Sequence, residues 1–210
     1  MTEEKLKELK NEIRQVVEDA NLPLLRTVVI SGSACLPYID DPHDVDVALY
    51  VDADSCAHPI KYVKGLKEAL RERVGSNVSS FTRRIKSDGS WTMDGDYIRR
   101  DAFMNHPMFC ASAVGDITEI IPPDTVDVLK NKDRYIESLK HWYLSDAFKR
   151  ARERLGVIKH VYQGLLVVYF IENGSYELTE EQRKNVNIAH DKAEGADELC
   201  DWLIEKLKGM

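Results

Sequence analysis

One stretch constrains this chain more than any other: residues 31 to 51, SGSACLPYIDDPHDVDVALYV, preceded directly by Val28-Val29-Ile30. It reads as a buried strand, a Gly-Ser turn, a short helix or loop, and a second strand that carries Asp44 and Asp46. Side chains alternate faces along a strand, so both carboxylates point the same way. Two like charges on one face of an apolar sheet repel each other unless a cation lies between them. The feature therefore demands a sheet, and asks for a metal at its end.

The rest of the chain sets the frame. At 210 residues it is long enough for one large domain or two small ones with a substantial core. No apolar run approaches the roughly 18 residues that a membrane helix requires. The N-terminus, MTEEKLKELK, is charged, which argues against a secretory signal. These features lead us to expect a cytoplasmic protein with no membrane contact. A net charge of -7 speaks against a surface built throughout for nucleic acid, although a local basic cleft remains compatible with it. Cys35, Cys56, Cys110 and Cys200 form no C-x-x-C pair and read as reduced, mostly buried thiols. Oligomeric state is not legible.

Leu6, Leu9, Ile13, Val16, Val17 and Ala20 recur at helical spacing and predict an amphipathic helix over 3–20, ending near Asn21-Leu22-Pro23. Buried strands are expected at 25–30 and 45–51, then a helix at 60–74 with Val63, Leu66, Leu70 and Val74 on one stripe. Residues 77–104 read as strand, turn, strand, with two Asp-Gly turn signals between. Ile117 to Ile121 reads as a short edge strand, stopped by Pro122-Pro123. Beyond it the pattern is helical: 126–143, 146–171, 180–189 and 196–208, punctuated by Asn173-Gly174 and Gly195. The expected division is an α/β domain over 1–123 and a helical domain over 124–210, with a substrate cleft between them.

Asp-x-Asp on a strand offers hard oxygen ligands at a fixed separation, the donor set that a pair of magnesium ions requires beside a triphosphate. The Gly-Ser turn complements it. Gly32 allows a phosphate to approach the backbone closely, and the Ser33 hydroxyl and nearby backbone N–H groups can donate to its oxygens.

Hydrophobic strand, Gly-Ser, a spacer of ten residues, then Asp-Val-Asp-Val resembles the signature of the nucleotidyltransferase superfamily that includes DNA polymerase β. The resemblance covers the chain to about residue 104. It implies an α+β fold, a polymerase-β-type mixed sheet with flanking helices, followed by an α-helical bundle domain. It also implies the activity: transfer of a nucleoside monophosphate from a nucleoside triphosphate to an acceptor hydroxyl with release of pyrophosphate. Two Mg2+ ions would be held by Asp44, Asp46 and a third carboxylate on a neighbouring strand. Asp101 is the choice for that third ligand because it is expected mid-strand, whereas Asp94 and Asp96 read as turn formers. Gly32 and Ser33 would cradle the triphosphate. Arg83, Arg84, Arg99 and Arg100 are candidates to neutralise it, with strand alternation favouring Arg99 as the neighbour of Asp101. The chain departs from the family pattern at Leu36-Pro37-Tyr38 and His43, where many members carry a glycine and a serine. The metal ligands are intact; the shape of the phosphate loop is what these departures touch.

In the helical half, Lys159-His160-Val161-Tyr162 ahead of an apolar helix resembles the C-terminal region of small phage and bacterial nucleotidyltransferases, which implies a cleft-facing, nucleotide-binding Lys159. Arg183 and His190 have the spacing of small helical ribonucleases, but a charged helix produces such spacings by chance and His190 reads as a helix-end residue. Trp91, Trp142 and Trp202 read as core or domain-interface residues, with base stacking as the other role for Trp91. The acceptor stays open among an RNA end, a protein and a small molecule. A non-catalytic or antitoxin-like nucleotide-binding module acting through a partner is the alternative function.

Overall fold

The computed structural model describes residues 2–52, 54–75, 78–85, 93–94, 97–156 and 160–210. The chain divides into two compact units: Met1–Thr92 with Met104–Pro123, and Met93–Phe103 with Asp124–Met210. The second unit thus includes a short segment taken from the middle of the first.

The first unit is built on a four-stranded mixed sheet in the order β3-β2-β1-β6. β1 (Leu25–Ser31) pairs antiparallel with β2 (Val45–Asp52) and with β6 (Ala111–Val114), and β2 pairs in parallel with β3 (Val78–Ile85). Helix α1 (Glu3–Ala20) starts where the Thr2 hydroxyl accepts the Lys5 amide and ends at Asn21, in the left-handed region. Its Ile13, Val16 and Val17 pack with Val28, Ile30, Val47, Leu49 and Val51 of the sheet and with Leu66 and Leu70 of α3 (Lys64–Arg73). The odd-numbered residues of β2 are thereby buried under the helices. Asp46, Ala48 and Tyr50 consequently belong to the opposite face.

Three expectations for this unit need correction. The helix expected at 60–74 is two, α2 (Pro59–Tyr62) and α3, broken at Val63, whose φ of −96° and ψ of 9° interrupt the helical path. The edge strand is β6 at 111–114. Residues Ile117–Glu119 form a 3-10 turn instead, because Gly115 turns the chain at φ +65° and the Asp116 carboxylate accepts the Thr118 amide at 2.9 Å. The second strand expected through residue 104 stops early: β5 (Tyr97–Ile98) pairs with β4 (Met93–Asp94), and residues Ala102–Asn105 form a 3-10 turn.

The second unit holds that β4-β5 ribbon and the helices α4 (Pro123–Val126, its proline marking the boundary), α5 (Lys132–Tyr143), α6 (Asp146–Leu155), α7 (Val161–Asn173), α8 (Glu180–Asp191) and α9 (Ala196–Gly209). From Val161 to Phe170 every residue of α7 is buried, which makes it the central helix of the bundle. The single helix expected over 146–171 is split because Gly156 ends α6 at φ +70° and ψ −149°, a conformation open to glycine alone. Thr179 and Gln182 form a reciprocal cap at the start of α8.

Candidate active site

The Gly-Ser turn lies at the C-terminal end of β1, where Ser31 faces Asp46 in the antiparallel register. Gly32 has φ +75° and begins the 3-10 turn Gly32–Cys35. A Cβ built on Gly32 would overlap the Asp46 carboxylate oxygen Oδ2 and come within 3.1 Å of its Cβ and Cγ. Glycine is therefore required twice over: by the backbone conformation and by the carboxylate packed against it. Asp44 stands immediately before β2 and Asp46 on its second residue, both half-buried.

Ser33 is 3% exposed, and its hydroxyl Oγ has no hydrogen-bond partner among the described residues. A buried hydroxyl without a partner is uncommon in folded proteins and calls for an explanation. The surroundings are dry. At the end of the same turn the Cys35 thiol, bonded to the Ile30 carbonyl at 3.3 Å, is pushed up to about 12 by burial. Cys110, just before β6, is pushed up to about 12 for the same reason, with Cys35 adding to it.

On the Asp46 face, Tyr50 donates to Asn105 Oδ1 at 2.5 Å in a fully buried bond, which ties segment 104–110 to the sheet. Arg83 pairs in register with Tyr50, so strand alternation places it on this same face, its guanidinium 4.7 Å from the Phe81 ring centre. The side chain of Arg84 lies outside the described residues.

The remaining site residues lie in the second unit or outside the described chain. Asp101 stands in a turn closed by the Ala102 amide and the Arg99 carbonyl at 2.9 Å, and not mid-strand as expected; its carboxylate accepts from Arg99 Nε at 3.3 Å. Arg99 and Asp101 do share a side, through this ion pair and not through strand alternation. Lys159, Trp91 and Asp96 lie outside the described residues. His190 is buried near the end of α8, its Nδ1 2.6 Å from the adjacent Asp191 carboxylate. What the sequence did not disclose is the pairing of Arg100 with Trp142, 4.7 Å between guanidinium and ring; the two are far apart in the chain and no local pattern links them.

Neither a protein-family model nor a curated protein matches the chain. Among solved structures it is similar to spectinomycin adenyltransferase AAD(9) from Enterococcus faecialis, determined with ATP and spectinomycin, at 12% identity and a TM-score of 0.54, over 96% of this chain and 99% of that one. The likeness is one of fold: in this chain, a mixed sheet with flanking helices followed by a helical region.

Proposed function

We propose that this protein is a magnesium-dependent nucleotidyltransferase that moves a nucleoside monophosphate from a nucleoside triphosphate, ATP by analogy with the adenyltransferase, to a hydroxyl of a small-molecule acceptor. The observation that carries the reading is the Gly32, Ser33, Asp46 arrangement: a carboxylate seated on a glycine whose place no other residue can take, beside a buried hydroxyl with no partner inside the protein. The likeness to an enzyme crystallised with ATP and a small molecule supports it.

The donor set fits the metal. Carboxylate oxygens of Asp44 and Asp46 are hard ligands suited to Mg2+, and the half-buried position strengthens their interaction with a dication. When bound, the ions would neutralise charge on the triphosphate and lower the pKa of the attacking hydroxyl. The chain's own residues do the rest. Gly32 leaves room for a phosphate next to the backbone, and the Ser33 hydroxyl donates to one of its oxygens, gaining the partner it otherwise lacks. Arg83, on the Asp46 face, offsets phosphate charge. In this reading Asp101 supplies the third carboxylate, and Arg99 and Lys159 contribute to nucleotide binding.

Asp46→Asn tests the reading, because it removes a ligand charge without changing volume. The expected result is a variant that folds normally but has lost magnesium-dependent pyrophosphate release by at least about 100-fold, the scale on which removal of a group stabilising developing charge acts. Retention of wild-type release would overturn the assignment.

A further inference from the structure

The helical unit contains a polar cavity of about 510 Å³, lined by Ile98, Arg99, Arg100, Asp101, Ser138, His141 and Trp142. Its charges are unevenly used. Arg99 is paired with Asp101 at 3.3 Å, so these two cancel. Arg100 is half-buried and forms no hydrogen bond or ion pair among the described residues; its guanidinium instead lies 4.7 Å from the centre of the Trp142 ring. The indole is held in turn by an edge-on contact with Phe148, the ring centres 6.0 Å apart.

Two donors of the residues lining it, Arg100 Nε–H and Trp142 Nε1–H, are buried and have no hydrogen-bond partner among the described residues. Both are donors only, since neither guanidinium nor indole nitrogen accepts a hydrogen bond. The Asp101 carboxylate that lines the site is engaged by Arg99, so the guanidinium of Arg100 and the indole N–H call for a further acceptor, and one that also matches the charge is an oxyanion. A guanidinium stacked on an aromatic face keeps its N–H edge free for the bidentate geometry that carboxylates and phosphates accept.

We propose that this cavity is an oxyanion-binding pocket that takes a phosphate or carboxylate group of the substrate on Arg100 and Trp142. The cavity is lined by Arg99 and Asp101, which the proposed function also uses, but anion binding on Arg100 and Trp142 is measured without turnover. As a substrate subsite it rests on that reading, and then defines the acceptor, or the nucleotide at this end, by its negative charge.

The test is calorimetric titration with pyrophosphate, inorganic phosphate and succinate in buffer freed of metal on a chelating resin, so that Asp44, Asp46 and Asp101 hold no metal and no soluble chelator competes as an anion. The wild-type protein is expected to bind at least one of the three. Arg100→Gln should weaken binding at least about ten-fold and Trp142→Phe about three- to ten-fold, with Trp202→Phe unchanged. Arg100→Lys, which keeps the charge but loses the planar fork, should fall between wild type and Arg100→Gln. Thermal melts of the same variants establish that they fold.

Wild-type protein that binds none of the three anions, or Arg100→Gln that folds and binds as wild type does, overturns the proposal. Competition then names the source. Pyrophosphate displaced one for one by ATP assigns the pocket to the nucleotide's phosphate chain. Pyrophosphate retained alongside magnesium-ATP assigns it to an anionic acceptor. Pyrophosphate release, measured separately on Asp46→Asn, reports on the transferase reading alone, so the two can fail independently.

Discussion

At the scale of single residues, the Gly32-Ser33 turn combines a conformational demand with a buried hydroxyl that has no partner among the described residues, and two substitutions separate them. Gly32→Ala forces a side chain into a left-handed backbone and against the Asp46 carboxylate; we expect a loss of about 1–3 kcal/mol in chemical denaturation, together with loss of nucleotide binding. Ser33→Ala should do the opposite to stability. Its hydroxyl is buried without a partner, so removing it leaves the melting temperature unchanged or higher, while nucleotide affinity falls about three- to ten-fold. A hydroxyl retained for structure would show the reverse order. The cysteines beside this turn give a pH signature. Burial raises the Cys35 and Cys110 thiols from 9.0 to about 12, so the unfolded chain releases these protons first as pH rises. Their contribution is complete below about pH 9 and is lost between about pH 9 and 12, at up to roughly 1.4 kcal/mol per pH unit for each thiol. Cys35→Ala with Cys110→Ala should flatten the alkaline limb of a stability-against-pH curve.

At the scale of elements, the central helix α7 is the sharpest case. A Cβ on Gly164 would come within 2.7 Å of Leu203 Cδ2 and 2.9 Å of the Tyr143 ring, so this glycine sets how closely α5 and α9 approach it. Gly164→Ala gains helix propensity of about 1 kcal/mol and loses about 1–3 to overpacking; a net destabilisation of up to about 2 kcal/mol by thermal melt is expected. The elements that the sequence announced are those with a sustained period: α1, whose apolar stripe is uninterrupted, and β1 and β2, whose runs are continuous. Those it concealed turn on one residue or on a distant partner. Val63 and Gly156 break helices whose stripes run on across the break, and Ala111–Val114 is too short and too small to signal a strand until it is seen paired with β1. In the candidate site, Gly32, Ser33 and Asp46 were legible because they fall within one short stretch. Arg100 on Trp142 was not, because that contact is made by folding alone.

At the scale of the whole molecule, the two units are interleaved in sequence, since residues Met93–Phe103 belong with the helical one. Ile98 and Phe103 are fully buried there, and Phe103 meets the Phe170 ring edge-on at 6.3 Å. A fragment cut after residue 123 would carry these side chains without α5 and α7 to cover them. We expect such a fragment to bind a hydrophobic dye and to associate, whereas the full chain does neither. Among the described residues no helix is long and apolar enough to cross a membrane, so dye binding by the fragment would come from this uncovered patch.

The register of the sheet also orders events on the ribosome. Asp46 has its neighbours Ser31 and Ser79 within the first eighty residues, whereas the last strand of the sheet pairs Ala111 with Ile30, roughly 80 residues apart. At about 5–20 residues per second, the free edge of β1 waits roughly 4–16 s for its partner to be made. The strands that carry Gly32 and Asp46 are thus complete on the nascent chain before the partner of β1's other edge exists, and that open edge is the surface a chaperone would have to guard during the interval.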